Sequence, residues 1–102
     1  MLLTHLHPDH IGGLCRRGQA VFPRAIVHVA REEAAFWFDA SRRDGADASV
    51  RATFAHAREM LAPYLAAGRC QPFDRGARWP GGLEAASLPG HTCGHTGFRL
   101  AT

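Results

Sequence analysis

The sequence predicts an α/β fold, in which short strands alternate with helices in layers. Residues 25–29 (Ala-Ile-Val-His-Val) are apolar and rich in β-branched side chains, as buried strands are. Residues 50–67 instead repeat apolar side chains every three or four positions, as an amphipathic helix does. A chain of 102 residues is at most one small domain, so residues 1–102 are treated as a single unit.

The first half of the chain is expected to bring a strand, a turn and a helix in quick succession. Glu32 and Glu33 open the second predicted helix, since acidic side chains favour the first helical turn. The predicted elements are, in order, a strand end over 1–4, a turn at 12–13, a short helix over 14–17, a strand over 25–29, a helix over 32–38 and a polar loop over 41–49.

The second half begins with the strongest helix signal of the sequence, residues 50–67. Pro63 lies inside it and predicts a kink or a break into two helices, because proline lacks the amide hydrogen that the helix needs. The remaining predicted elements are a short strand over 69–73, a turn at 79–82, and strands over 83–88 and 97–101.

Composition argues against several classes of partner. The net charge of +3 comes from 12 arginines that are scattered without interleaved aromatic residues, so no nucleic-acid partner is expected. No apolar run approaches membrane-spanning length, so no membrane partner is expected. Cys15, Cys70 and Cys93 form no CxxC pair and are expected to be free thiols of a reducing compartment. A cytoplasmic location is favoured, although an export signal could lie upstream in a longer protein.

The segment Thr4-His5-Leu6-His7-Pro8-Asp9-His10 carries the clearest chemical signal. Neutral imidazole and carboxylate are ligands for zinc and similar metals. Residues two apart in an extended segment point the same way, so His5 and His7 can converge on one ion. Asp9 and His10 follow at a turn and suit a second ion. An exposed His-rich loop or a tag is the alternative, but a tag would be a histidine repeat.

A second motif, residues 89–95 (Pro-Gly-His-Thr-Cys-Gly-His), forms a glycine-containing loop between two predicted strands. Glycine lets the backbone turn sharply, so a short loop can direct an imidazole toward a site built elsewhere. Cys93 is an alternative thiolate ligand. A hydroxyl from Thr92 or Thr96 more plausibly orients a neighbouring group.

Together the two motifs resemble those of the metallo-β-lactamase superfamily, HxHxDH after one strand and a GHTxGH-type loop later. The resemblance spans essentially the whole chain and implies part of a four-layer αββα sandwich, incomplete at both ends. Four intervening segments look like the methyl-parathion-hydrolase-like branch, which is close to the quorum-quenching lactonases: residues 20–25, 35–38, 63–68 and 72–73.

The resemblance also implies roles for individual residues. The first metal would be bound by His5, His7 and His91, and the second by Asp9 and His10. Asp9 could in addition hold or deprotonate the nucleophilic water, and His95 would support the site without being a ligand. Trp37 and Phe54 look like the aromatic residues of a leaving-group pocket, with core packing as the alternative, which is preferred for Phe54.

The activity implied is metal-assisted hydrolysis of a small lactone, ester or phosphotriester. Two zinc ions would occupy a complete site, with manganese, iron or cobalt as the other metals that these ligands accept. A non-catalytic metal-binding or assembly module remains open as an alternative, as does a glyoxalase-type thiolesterase, which shares both motifs.

Two parts of the family pattern are not found in the 102 residues. The superfamily also has an aspartate that bridges both metals and a final histidine, both after the second motif, whereas this chain ends at Thr102. The strands that usually precede HxHxDH are missing as well. We therefore expect a fragment that binds one zinc weakly, has little activity and associates through exposed sheet edges.

Overall fold

The computed structural model describes residues 1–88 and 90–100. This part of the chain contains four helices and seven strands, which confirms the predicted α/β class. The helices are α1 (Pro8–Ile11), α2 (Arg31–Trp37), α3 (Ala40–Asp44) and α4 (Ala48–Ala66). The strands are β1 (Cys15–Arg16), β2 (Gln19–Ala20), β3 (Val27–Ala30), β4 (Cys70–Phe73), β5 (Arg78–Trp79), β6 (Leu83–Ser87) and β7 (Thr96–Leu100).

The strands form three small sheets. β3 and β4 are parallel, with Val27 opposite Cys70, and helices α2 to α4 make the connection between them. Leu2 adds a parallel bridge to His28 on the other side of β3, so the predicted strand over residues 1–4 is reduced to a single bridge. β5, β6 and β7 form an antiparallel sheet with β6 in the middle, and β1 pairs with β2.

Helix α4 supplies one wall of the main core. Phe54, Ala57 and Leu61 are buried, as the periodicity predicts. Val50 and Leu65, which share that periodicity, are instead 39% and 47% exposed. The break predicted at Pro63 does not occur, because one missing amide close to the helix end removes a single backbone hydrogen bond and the helix continues to Ala66.

Two local predictions are wrong. Residues 14–17 do not form a helix; a β1–β2 hairpin turns there through Arg17 (φ 53°) and Gly18 (φ 76°), a pair with the positive φ values of a two-residue hairpin loop. Residues 41–49 are not all loop, because the carboxylate of Asp39 accepts hydrogen bonds from the amides of Ser41 and Arg42 and starts α3. Ala101, the last residue of the predicted strand over 97–101, lies outside the described residues.

A second, smaller core lies between the β3–β4 sheet and the sheet of β5, β6 and β7. It consists of Ala30, Phe73 and Ala85, with Trp79 and Phe98 packed against them. Within the part of the chain that the structure describes, no helix combines the length and the apolar character needed to cross a bilayer.

Candidate metal centre

The first histidine motif is held by backbone pairing on one side and core packing on the other. The Leu3 amide donates to the His28 carbonyl at 2.9 Å, and the His28 amide donates to the Met1 carbonyl at 2.7 Å. Leu6 and Ile11 have no exposed surface and anchor the segment in the main core. The imidazoles of His5 and His7, which flank Leu6, are left to line the site, and Pro8 starts α1 directly after them.

The second motif arrives from the antiparallel sheet, as the loop between β6 and β7. The Leu88 amide donates to the His95 carbonyl at 2.7 Å and closes the base of this loop. The Thr96 amide donates to the Thr4 carbonyl at 2.9 Å, which ties the start of β7 to the residue before His5. Two segments some ninety residues apart are thereby joined beside the site; Pro89, the first residue of the predicted motif, lies outside the described residues.

His5, His7 and His91 meet in one cluster, with one ligand-type nitrogen of each within 4.8 Å of the others. His7 Nδ1 lies 3.1 Å from His91 Nε2, close to the separation of about 3.3 Å between two nitrogens on a tetrahedral zinc ion. His5 Nδ1 is paired with the Thr4 hydroxyl at 2.8 Å, whereas His5 Nε2 is buried and has no hydrogen-bond partner among the described residues. This donor set fits a divalent metal ion.

His5, Asp9 and His10 form a second group within the same 4.8 Å limit. Asp9 and His10 lie on the single turn of α1, with His10 Nε2 3.5 Å from Asp9 Oδ2. The side chain of Asp9 is 79% exposed and that of His10 is 48% exposed, whereas His5 is buried. This group therefore faces solvent on the side of α1. Since His5 belongs to both groups, Asp9 and His10 are the two residues of the second group that the first does not share.

The surroundings of His5 and His7 favour the neutral imidazole, the form that binds metal. Burial, together with the neighbouring His10 and His7, lowers the pKa of His5 to about 4. Burial and His91 also lower the pKa of His7, although the carboxylates of Glu33 and Asp9 oppose this shift.

The other residues of the second motif take different places. The ring centroid of His95 lies 4.7 Å from that of His5, and His95 Nδ1 lies 3.2 Å from the Leu88 carbonyl. Thr92 is buried and donates its hydroxyl hydrogen to Glu33 Oε1 at 2.6 Å. Cys93 is exposed and belongs to neither metal-type group of the described residues.

The two aromatic residues predicted for a substrate pocket are both largely buried. Trp37 is 5% exposed, and its ring meets that of His7 edge to face with a centroid distance of 5.6 Å. Phe54 is 1% exposed and packs against Trp37 at 4.6 Å between centroids. Phe54 thus lies in the core, while Trp37 connects the core to the cluster of imidazoles.

Sequence reasoning missed Glu33, which was considered only as part of a helix start. Its carboxylate has no exposed surface and accepts four hydrogen bonds, from both histidine motifs and from Trp37. The spacing of Glu33 and Trp37 by four residues, which places both on one helix face, is the only sequence signal that pointed to it.

Comparison with family models and with curated proteins finds no match. Solved structures do match. The hydrolase AbOPH, described as a member of the beta lactamase superfamily, is 36% identical over 99% of this chain, with a TM-score of 0.90. AidC, described as a dizinc quorum-quenching lactonase in complex with a product, N-hexanoyl-L-homoserine, is 26% identical over 99% of this chain, with a TM-score of 0.76.

A third solved structure, a probable metal-dependent hydrolase from Staphylococcus aureus, is 25% identical over 93% of this chain, with a TM-score of 0.69. The chain spans about a third of the length of all three proteins, namely 36%, 36% and 31%. Its layers of helices and strands therefore correspond to one part of a larger sandwich.

Proposed function

Because the chain belongs to the metallo-β-lactamase superfamily, we propose that it provides the first metal site, and part of the second, of a metal-dependent hydrolase. His5, His7 and His91 would hold the first ion, and zinc is a metal that sites with three imidazoles commonly bind. Asp9 and His10 would serve the second ion. AidC, with its dizinc site, supports this choice of metal by similarity.

The observation that carries the proposal is the buried His5 Nε2, which lacks a hydrogen-bond partner among the described residues beside the close pair His7 Nδ1 and His91 Nε2. A buried polar atom without a partner costs free energy, about 1–3 kcal/mol in proteins. Three imidazole nitrogens that converge in this way are explained when a cation is their common partner.

The residues around the ion would divide the chemistry between them. A bound divalent ion acidifies water and polarises the carbonyl or phosphoryl oxygen under attack. The three imidazoles fix the ion against the core, because His5 is buried and the backbone on both sides of it is anchored. The exposed carboxylate of Asp9 would hold the attacking water and accept its proton.

The proposed substrate is a small lactone, ester or phosphotriester with an apolar group. The lactonase among the similar structures supports the lactone class. The Trp37 ring, which meets the His7 ring edge to face, would give the first site an apolar neighbour and favour an acyl or aryl group over a strongly polar one.

Zinc titration of the chain by calorimetry tests the metal site. We expect one zinc per chain at the first site and still weaker binding at a second site. His91→Ala should weaken the first event by at least tenfold, because two imidazoles cannot close a tetrahedral site. His28→Gln, a histidine in β3 outside both groups, is the matched control and should bind zinc as the parent chain does. Unchanged binding in His91→Ala would overturn the proposed site.

Hydrolysis tests the reaction. The chain loaded with zinc should cleave an aryl ester, an acyl-homoserine lactone or an aryl phosphotriester at a low rate, and a chelator should abolish the cleavage. Asp9→Asn should lower the rate more than it lowers zinc affinity, since Asp9 is proposed to handle the proton. Zinc binding without any turnover would instead favour a non-catalytic metal-binding module.

A further inference from the structure

We propose that Glu33 is a positioning residue that holds the two histidine motifs in register, so that their imidazoles converge before a metal arrives. The effect on metal binding rests on the proposed function. The alignment of the two motifs does not depend on the proposed function, and it can be measured in the metal-free chain. Glu33 belongs to α2, an element outside both motifs, and contacts neither motif through an imidazole.

Each carboxylate oxygen of Glu33 accepts two hydrogen bonds. Oε2 accepts from the Leu6 amide at 2.9 Å and from Trp37 Nε1 at 2.8 Å. Oε1 accepts from the Thr92 hydroxyl at 2.6 Å and from the Gly94 amide at 3.0 Å. One oxygen therefore serves the first motif and the other serves the second, across 27 and 59 to 61 residues of sequence.

All four partners are donors, which makes a carboxylate the suitable group at this position. An ionised carboxylate accepts only, whereas an amide has one accepting oxygen and an NH₂ that donates. In Glu33→Gln, an NH₂ at the Oε2 position would face two N–H groups. At the Oε1 position it could donate to the Thr92 hydroxyl but would leave the Gly94 amide without its acceptor.

Gly94 shows how closely the second motif approaches α2. A Cβ atom at this position would collide with the Glu33 amide nitrogen and lie 2.9 Å from the Glu33 Cα. The second motif thus rests directly on the backbone of α2, and only glycine permits the approach. The side chain and the backbone of Glu33 therefore both contact the second motif.

One contact in each motif lies a single residue from a proposed ligand. Leu6 is the residue between His5 and His7, and Thr92 follows His91 directly. A shift of the Leu6 or Thr92 backbone therefore moves an imidazole with it. Since metal sites tolerate only small errors in ligand position, loss of this register should weaken binding by about 10- to 100-fold, the range typical of residues that orient ligands.

Nuclear magnetic resonance of the metal-free chain tests the register. In the parent chain we expect cross-peaks between the His7 and His91 rings and slow exchange of the Leu6 and Gly94 amides. In Glu33→Gln the cross-peaks should weaken, and exchange at Gly94 should accelerate more than at Leu6, because the remaining oxygen is expected to stay with Leu6 and Trp37. Glu32→Gln, the same change one residue away on an exposed side chain, is the control. Unchanged cross-peaks and exchange in Glu33→Gln would overturn the inference.

Cobalt(II) titration, followed by the visible absorption of the ion, tests the consequence. The parent chain and Glu32→Gln should give the intense bands of a tetrahedral site. Glu33→Gln should give weaker bands and an affinity lower by about 10- to 100-fold. If the parent chain keeps its register but binds no cobalt, the proposed function fails and the role of Glu33 in register stands. If Glu33→Gln binds cobalt like the parent, the positioning role fails.

Thr92 variants keep the inference testable if Glu33→Gln does not fold. Thr92→Val removes one donor to Glu33 and retains the shape of the side chain, whereas Thr92→Ser retains the hydroxyl. We expect Thr92→Val to weaken cobalt binding and the His7–His91 cross-peaks, and Thr92→Ser to restore both. Equal behaviour of the two variants would contradict a role that acts through the hydrogen bond to Glu33.

Discussion

His5 is the residue on which the site converges. It is 3% exposed, and its ring lies within 4.8 Å, between centroids, of four other imidazoles: His7, His10, His91 and His95. Protonation there would place a charge among groups that can also become positive, in a place largely closed to water. The same features that keep His5 neutral leave its Nε2 available to a metal.

Acid should therefore destabilise the metal-free chain through His5. The pKa of His5 is about 4 when folded and 6.5 when unfolded, so the unfolded state binds more protons between these values and stability falls as pH falls from 6.5 to 4. Urea unfolding at several pH values should show this slope, and His5→Gln should reduce it. A His5 ring that titrates near 6.5 in the folded chain would contradict this explanation.

Gly94 and Gly13 make a matched pair of substitutions. Alanine at Gly94 would collide with the backbone of Glu33, whereas alanine at Gly13 would meet nothing within 4 Å. We expect Gly94→Ala to lower the free energy of unfolding by about 1–3 kcal/mol, as overpacking does, and to weaken zinc binding. Gly13→Ala should leave both nearly unchanged. Thermal unfolding and zinc titration of the two variants provide the check; equal effects would argue against the close contact.

At the scale of elements, α4 stabilises the β1–β2 hairpin that follows the first histidine motif. Tyr64, 1% exposed, donates its hydroxyl hydrogen to the Leu14 carbonyl at 2.7 Å and accepts a hydrogen bond from the Phe22 amide at 3.1 Å. These two residues lie on either side of the β1–β2 hairpin, which follows the first histidine motif. The helix therefore fixes both ends of the hairpin.

Tyr64→Phe removes this connection and keeps the ring. The Phe22 amide then loses its acceptor, and the Leu14 carbonyl keeps only its bond from the Val21 amide. We expect the free energy of unfolding to fall by about 1–3 kcal/mol, with zinc affinity changed less than in Gly94→Ala. Chemical denaturation measures the first quantity. A variant as stable as the parent chain would show that the hydroxyl contributes nothing to the hairpin.

The elements that could be predicted are those with local signals. The periodicity of α4 and the β-branched run of β3 are properties of neighbouring residues, and both elements were found. The β1–β2 hairpin was missed because Arg17 adopts a positive φ that its residue type disfavours. The hydrogen bonds of the buried Glu33 could not be predicted, because its partners lie as far as 61 residues away and no pattern among neighbouring residues indicates them.

The site as a whole was more predictable than its surroundings. The grouping of His5, His7 and His91 rests on two motifs whose types and spacing were visible in the sequence, and the structure brings these residues together. The way they meet was not visible, because it depends on the contact between β7 and residue Thr4 and on the carboxylate of Glu33. The ligand types and their spacing are therefore visible in the sequence, whereas the alignment of the two motifs depends on contacts that form only in the folded molecule.

At the scale of the whole molecule, apolar surface near β4 should promote self-association. β4 pairs with β3 along one edge, and its other edge has no strand partner among the described residues. An open apolar cavity of about 350 Å³ adjoins it, lined in part by Phe38, Leu65 and Pro72. Exposed strand edges beside apolar surface favour pairing with a second chain.

Sedimentation velocity over a range of concentrations should reveal this association. Leu65→Glu places a charge in the apolar cavity and should weaken association by about tenfold or more. Ala55→Glu, an exposed position elsewhere on α4, is the control and should associate like the parent chain. A parent chain that stays monomeric at all concentrations would contradict the expectation.

The central claim is that two histidine motifs from opposite ends of the chain bind one metal ion. Zinc X-ray absorption of the loaded chain tests it most directly, because it counts ligands and distinguishes nitrogen from sulfur. We predict three imidazole nitrogens at about 2.0–2.1 Å, reduced to two in His91→Ala. Fewer than three imidazoles in the parent chain, or a sulfur at about 2.3 Å that disappears in Cys93→Ser, would contradict the claim.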